Sequence, residues 1–257
     1  MSIKFVILGS GSSMGVPRAD GYFGKCDSSN QKNFRSRCSA IIKFNNENIL
    51  IDTSPDLRQQ LLNNKIKSIN KVFYTHLHAD QTHGINDLRP FFLINKKQIP
   101  VFADKKTTKY LYKTFKYCFK SSSSYPSTLK LNILKKKHTF INKKKKICIE
   151  PIKVKHGKID CLCYIINNKL AYASDISLFY KKDFKKLLNL DYLIIDCLWY
   201  KSHHAHFNLS QILDIVERLK PKKTILTNMH SDLDYDILKK NLPRNIVPGY
   251  DGLKVNL

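Results

Sequence analysis

The sequence predicts an α/β sandwich, two β-sheets packed face to face with helices outside. Three observations predict it. Short apolar runs bounded by polar turn residues recur through both halves of the chain; helical periodicities fall between them; and no linker or repeat of roughly 20–50 residues divides the sequence. Such elements bury their apolar faces most simply as two covered sheets. With 257 residues the chain can form a large core, and it reads as one domain over residues 1–257.

Ile3–Leu8 reads as a buried strand that ends in the turn Gly9-Ser10-Gly11-Ser12-Ser13. Ile41–Phe44 and Asn48–Asp52 form a hairpin across the polar Asn45-Asn46-Glu47. Ser54-Pro55-Asp56 has helix-capping chemistry and opens a helix to about Leu62. Val72–Thr75 is a strand. Lys105–Phe119 is helical by period and runs into a loop over Ser121–Pro126. Lys135–Lys146 holds two Lys runs and reads as a solvated loop or hairpin tip. Strands follow at Ile147–Val154, Cys161–Ile166 and Leu170–Ala173, then a helix at Phe179–Leu188 and a strand at Tyr192–Ile195. Leu209–Leu219 is an amphipathic helix, Thr224–Thr227 a strand, Leu233–Lys240 a short helix and Leu253–Asn256 a last strand.

Composition narrows the class. Hydrophobic residues make up 42% and charged residues 25%, as in soluble globular proteins. No apolar run reaches the roughly 18–20 residues that span a bilayer. The N-terminus lacks the pattern of a signal peptide, so a cytoplasmic location, with no membrane partner, is the expectation. The seven cysteines are odd in number, scattered and without a Cys-x-x-Cys, which fits reduced, buried thiols. Cys161 and Cys163 share one face of a strand and read as core. The formal net charge is +25, yet only seven of the 45 basic residues are Arg. Nucleic-acid recognition leans on Arg as well as Lys, so the excess reads chiefly as Lys-rich composition that still attracts anions.

The chemistry concentrates at His76-Leu77-His78-Ala79-Asp80-Gln81-Thr82-His83, straight after the strand Val72–Thr75. Residues two apart in an extended chain point the same way. His76 and His78 are thus delivered to one point, which suits a borderline divalent metal, and Asp80 adds an oxygen nearby. A lone loop histidine is ordinarily just solvated; two histidines and an aspartate within five residues after a strand are not.

This His-x-His-x-Asp pattern resembles the signature of the metallo-β-lactamase superfamily, and the resemblance runs the length of the chain. The segment Leu8–Arg18 is similar to the opening of its phosphodiesterase branch, the phosphoribosyl cyclic phosphate phosphodiesterase-like proteins and, more remotely, the RNase Z type nucleases. Leu50-Ile51-Asp52, His83–Arg89, His156-Gly157, Ser174-Asp175, His204-Ala205-His206, Asn228-Met229-His230 and Pro248–Gly252 resemble the later motifs in order. The resemblance implies an αββα sandwich with two mixed sheets. It implies a first metal held by His76, His78, His156 and Asp175, and a second held by Asp80 with Asp175 bridging. A metal-bound hydroxide would be the nucleophile, Asp80 and His206 the catalytic side chains, with His206 as general acid. Asp52 would orient a ligand or water. Arg89 and Lys201 are candidates for anion contacts.

Two positions depart from the family pattern. Gln81 and Asn228 stand where histidines of the second metal site are expected. Amides offer a carbonyl oxygen but bind borderline metals less well than imidazole. The expectation is a full first site and a weakened, empty or oxygen-rich second one, with His230 or His83 as substitutes. The lone Cys26 leaves too few ligands for a structural zinc near the first turn. The sequence therefore reads as a metal-dependent hydrolase, Zn or Mn being the candidate cofactors, that cleaves a small phosphodiester such as a cyclic nucleotide or cyclic sugar phosphate. Two alternatives stand beside it: an RNase Z-like nuclease with an RNA partner, and a nucleotide-binding member without turnover. A homodimer is left open.

Overall fold

The computed structural model describes residues 3–142 and 145–257. In chain order the strands are β1 (Lys4–Gly9), β2 (Ser39–Phe44), β3 (Glu47–Ile51), β4 (Lys71–Phe73), β5 (Ile99–Ala103), β6 (Leu129–Ile133), β7 (His138–Asn142), β8 (Lys145–His156), β9 (Ile159–Ile166), β10 (Leu170–Ala173), β11 (Leu178–Phe179), β12 (Tyr192–Asp196), β13 (Lys223–Thr227), β14 (Ile246–Pro248) and β15 (Lys254–Asn256). The α-helices are α1 (Leu57–Asn63), α2 (Ala79–Thr82), α3 (Arg89–Asn95), α4 (Lys105–Thr114), α5 (Lys116–Phe119), α6 (Leu209–Leu219) and α7 (Tyr235–Asn241).

One sheet runs β15-β1-β2-β3-β4-β5-β6 and the other β11-β8-β9-β10-β12-β13-β14, with β7 also paired to β8. Both are mixed. In the first, β15 through β3 pair antiparallel and β3 through β6 parallel. In the second, β8, β9 and β10 pair antiparallel and β10, β12, β13 and β14 parallel. This is the predicted αββα arrangement.

Strand alternation sorts the core into layers. Phe5, Ile7, Ile42 and Ile49 meet Leu162, Tyr164, Ile166 and Tyr172 between the sheets. The alternate residues Val6, Leu8, Ile41 and Leu50 pack outward with Leu57 and Leu61 of α1 and Leu111 of α4. On the other side Val154, Cys161, Cys163 and Ile165 pack under Ile212, Ile215, Val216 and Leu219 of α6. The two cysteines are core, as expected, and all seven are free thiols. Helix α6 is set by an apolar stripe at three- and four-residue spacing and by a capping box, in which the Asn208 side chain accepts from the Gln211 N–H and the Gln211 side chain accepts from the Asn208 N–H.

Several local readings need correction. The predicted helix over 105–119 breaks at Phe115, whose backbone leaves the helical region. The predicted helix over 179–188 is a 3₁₀ turn at Lys181–Leu187, and Phe179 belongs to β11. Strands β5, β6 and β14 were not expected: β5 carries Pro100, β6 alternates with Lys and Asn, and β14 has three residues. The Lys-rich segment 135–146, read as a loop or hairpin tip, contains β7 and the start of β8, which pair antiparallel; residues 143–144 lie outside the described residues, as do residues 1–2. Among the described residues no helix is long and apolar enough to cross a membrane.

Candidate metal centre

The functional side chains converge where the parallel strands of both sheets end. Strand β4 stops at Phe73, and the chain bends at Thr75 and at Leu77 before α2 begins after His78. The ring centroids of His76 and His78 are 4.5 Å apart. His156 closes β8, and Gly157 makes the turn into β9 at φ +55°, where an added Cβ would come within 3.0 Å of the Ala205 Cβ. Ring centroids of His156 lie 5.1 Å from His76 and 5.2 Å from His78. One potential ligand atom from each of the three imidazoles falls within a common 4.8 Å, and the same holds for His156, Asp175 and His206. Two cross-sheet bonds hold this spacing: Leu162 N–H donates to Thr75 O at 3.0 Å, and the Tyr164 hydroxyl donates to Tyr74 O at 2.6 Å.

The imidazoles are presented for metal binding. The Asp52 carboxylate accepts from Thr75 N–H at 2.8 Å and from the Thr75 hydroxyl at 2.9 Å. The hydroxyl's only proton is thereby used, so at 3.0 Å it can only accept from His76 Nδ1. His76 Nε2 is left with its lone pair, buried and without a partner among the described residues. His156 Nδ1 likewise donates to Ala205 O at 2.9 Å, which frees its Nε2. Burial, reinforced by neighbouring imidazoles, drives the pKa of His76 far down and that of His156 to about 4, so both rings are neutral ligands at physiological pH. An orphaned buried Nε2 beside two more imidazoles is what a divalent cation satisfies; the residues present fit one.

Asp52 occupies φ +62° at the end of β3, a conformation Asp tolerates better than most residues. Gly84 brings α2 onto this turn: its N–H donates to Thr53 O, and an added Cβ would stand 1.9 Å from Ser54 O. Only a glycine lets the helix end approach so closely.

The second half of the site is built on carboxylates. Asp175 follows β10, and its burial, with the charge of Asp80 next, raises its pKa. Asp196 ends β12, is fully buried, and accepts from His206 Nδ1 at 2.6 Å and from Ile176 N–H at 3.0 Å. Burial opposes the charged His206 ring, but the Asp196 charge and hydrogen bond outweigh it and lift its pKa to about 9. Gln81 Nε2 donates to Asp80 Oδ2 and Asp175 Oδ2, both at 3.2 Å, and Asn228 Nδ2 to Asp175 Oδ1 and Asp196 Oδ1, both at 3.3 Å.

A cavity of about 430 Å³ opens on this cluster, lined by His78, Asp80, His156, Asp175, His206 and Asn228. Ser12, Ser13 and Met14 of the first turn, and Trp199, His203 and His230, also contribute to its wall. Sequence reasoning missed Asp196. Its signal was the apolar strand Leu193-Ile194-Ile195 ending in Asp, the pattern that marked Asp52.

Two other readings, those of Arg89 and His83, do not survive. Arg89 is not at the cluster: its guanidinium covers Tyr125 at 4.5 Å and lines a separate cavity with Ile85 and Tyr117. Lys201 sits over the ring of Trp199 at 5.3 Å, a residue that lines the site cavity, so it stays beside the cluster. His83 packs edge-on against Phe115, outside the site cavity, and does not stand in for a missing ligand. His230 reaches the cavity wall, tilted against Trp199 at 5.2 Å.

Comparison with known proteins places this fold. The family model described as the β-lactamase superfamily domain matches residues 47–229, and the chain belongs to the metallo-β-lactamase superfamily of metal-binding hydrolases. It is similar to a crystal structure described as a new diphosphatase from the PhnP family, at 32% identity and a TM-score of 0.90 over 100% of this chain and 98% of that one. The zinc-bound PqqB of Methylobacterium extorquens shares the fold at 15% identity and a TM-score of 0.80, over 99% and 100% of the two chains. A Porphyromonas gingivalis protein named octanoyltransferase is 30% identical over 256 residues, 98% of this chain but 51% of that protein. The chain thus spans about half the length of that curated relative.

Proposed function

We propose that this protein hydrolyses a small phosphoester, a phosphodiester or diphosphate of nucleotide or sugar-phosphate size, with a divalent cation, Zn or Mn, held by His76, His78 and His156 beside Asp175. The observation that carries this reading is the pairing of the three-imidazole cluster with an acid across one cavity. His206, held by Asp196 at 2.6 Å, faces the space that His78 and His156 also line. A cation bound there lowers the pKa of a coordinated water toward neutrality and draws charge from a phosphoryl group. The chain's own residues do the rest. Thr75 and Ala205 O fix the ring tautomers, and His206 carries a proton at physiological pH to give to the leaving oxygen. A cavity of about 430 Å³ suits a small substrate better than a folded RNA, and the net charge of +25 attracts anions to it. The 32% identical structure described as a diphosphatase supports the substrate class. The octanoyltransferase name belongs to a protein about twice this length and supports no acyl transfer here.

The test is a panel of bis-p-nitrophenyl phosphate, cyclic phosphodiesters and nucleoside diphosphate conjugates assayed with Mn or Zn. Turnover should appear on at least one class and vanish in His76→Ala. Turnover that survives this change would refute the cation-dependent reading.

A further inference from the structure

Asp80, Asp175 and Asp196 converge on one small volume, and two of the three are wholly or almost wholly buried. Carboxylates brought together in this way are ordinarily reconciled by a cation or by losing charge. Here the bridges between them are amides. Gln81 Nε2 has two hydrogens and two acceptors, Asp80 Oδ2 and Asp175 Oδ2, each at 3.2 Å. Asn228 Nδ2 likewise faces two carboxylate acceptors, Asp175 Oδ1 and Asp196 Oδ1, each at 3.3 Å, and lies 3.2 Å from His206 Nδ1. Both oxygens of Asp175 are thus capped by N–H donors from opposite sides.

Orientation follows from charge. With its NH₂ toward the carboxylates, Gln81 leaves Oε1 buried and unpartnered among the described residues. The reverse rotamer would satisfy nothing better and would set a carbonyl oxygen against two carboxylate oxygens. Gln81 is fully buried and Asn228 nearly so. Asn228 is held in place by its backbone at φ +58°, which asparagine adopts at low cost, and the bond from Met229 N–H to Ser10 O pins the next residue. Burial and these backbone anchors hold both amides against the carboxylates.

We infer that the amide groups of Gln81 and Asn228 replace a second cation, so that the protein binds a single divalent ion, at the His76, His78 and His156 imidazoles. The inference rests on the cation reading given above. It also assigns the leaving oxygen to His206 alone, because amide N–H groups between carboxylates offer no Lewis acid.

Metal content decides it. The purified protein, stripped with chelator and titrated with Mn or Zn alone, is expected to take up one tight equivalent per chain. A second equivalent of comparable affinity would overturn the inference while leaving the cation reading intact, whereas no tight equivalent would overturn both. Gln81→His combined with Asn228→His is expected to bring the stoichiometry to two. Should that protein fold poorly, Gln81→Glu is the isosteric alternative: it deletes the donor and adds a carboxylate. The cation-free Gln81→Glu protein should melt several degrees lower, and a second, weaker equivalent of Mn should restore the loss. If Gln81→Glu melts as the parent does without metal, the amide does not serve as the bridge.

Discussion

His206 Nδ1 lies 2.6 Å from Asp196 Oδ2, and the same Oδ2 accepts the Ile176 N–H. The carboxylate is anchored by backbone before it touches the ring, so it fixes both where the imidazole points and which nitrogen faces the cavity. Asp196 is a positioning residue, and its removal should be felt through His206. Asp196→Asn should lower kcat by about 10²-fold with KM changed less than about threefold. The loss should be smaller on nitrophenyl esters, whose leaving group needs little protonation, than on esters of alcohols. Equal losses on both would remove His206 from the role of acid.

Thr75 couples Asp52 to His76. Thr75→Val preserves shape but removes the hydroxyl that accepts from His76 Nδ1 and donates to Asp52. Interactions behind a ligand typically change metal affinity by about 10–100-fold, and a loss of that order is expected for Zn measured by chelator competition. An unchanged affinity would show that the His76 tautomer does not depend on this chain of bonds.

Arg35 is a buried guanidinium with no acidic partner in hydrogen-bond contact among the described residues. Its Nη2 donates to Leu233 O at 2.6 Å and Asn33 Oδ1 at 3.0 Å, and Nη1 reaches His230 O at 3.4 Å. Arg35→Met strands these acceptors and should destabilise the fold by about 3 kcal/mol, a fall of roughly 6–12 °C in Tm for a chain this long. A shift below roughly 2 °C would mean that water replaces the guanidinium.

Asp251 accepts from the N–H and hydroxyl groups of both Ser10 and Ser36, at 2.6–2.9 Å. Burial nonetheless lifts its pKa from 3.8 to about 6. The folded state therefore holds this proton more tightly than the unfolded chain does. That contribution is complete below about pH 4 and is lost as pH rises through 6. Relative to Asp251→Asn, the parent should lose on the order of 2 kcal/mol between pH 4 and pH 7, after allowance for the residue's exposed edge. Parallel denaturant curves at the two pH values measure it, and a constant difference would refute it.

The cluster of imidazoles was legible because its information is local: His76 and His78 are two apart and follow directly on a strand. Helix α6 was legible for a similar reason, its stripe and capping box being written within twelve residues. Asp196 was not, because its meaning depends on His206, ten residues away across an irregular loop, and on Ile176 in another segment. Gln81 and Asn228 stood out by residue type, but which end of each amide faces the carboxylates is decided only when four strands bring Asp80, Asp175 and Asp196 together. Arg89 follows a motif helix in sequence, yet its side chain turns to Tyr125; direction along a helix is not a property of the motif.

The amide-bridged carboxylates bear on how the protein comes into being. A site whose acidic groups required two ions to coexist would tie folding to ion supply, as in small domains that stay unfolded until loaded. Here neutral donors already separate the carboxylates, so the chain can close on itself first and collect its ion afterwards. The cellular ion pool would then govern how many copies are active, and not how many are folded.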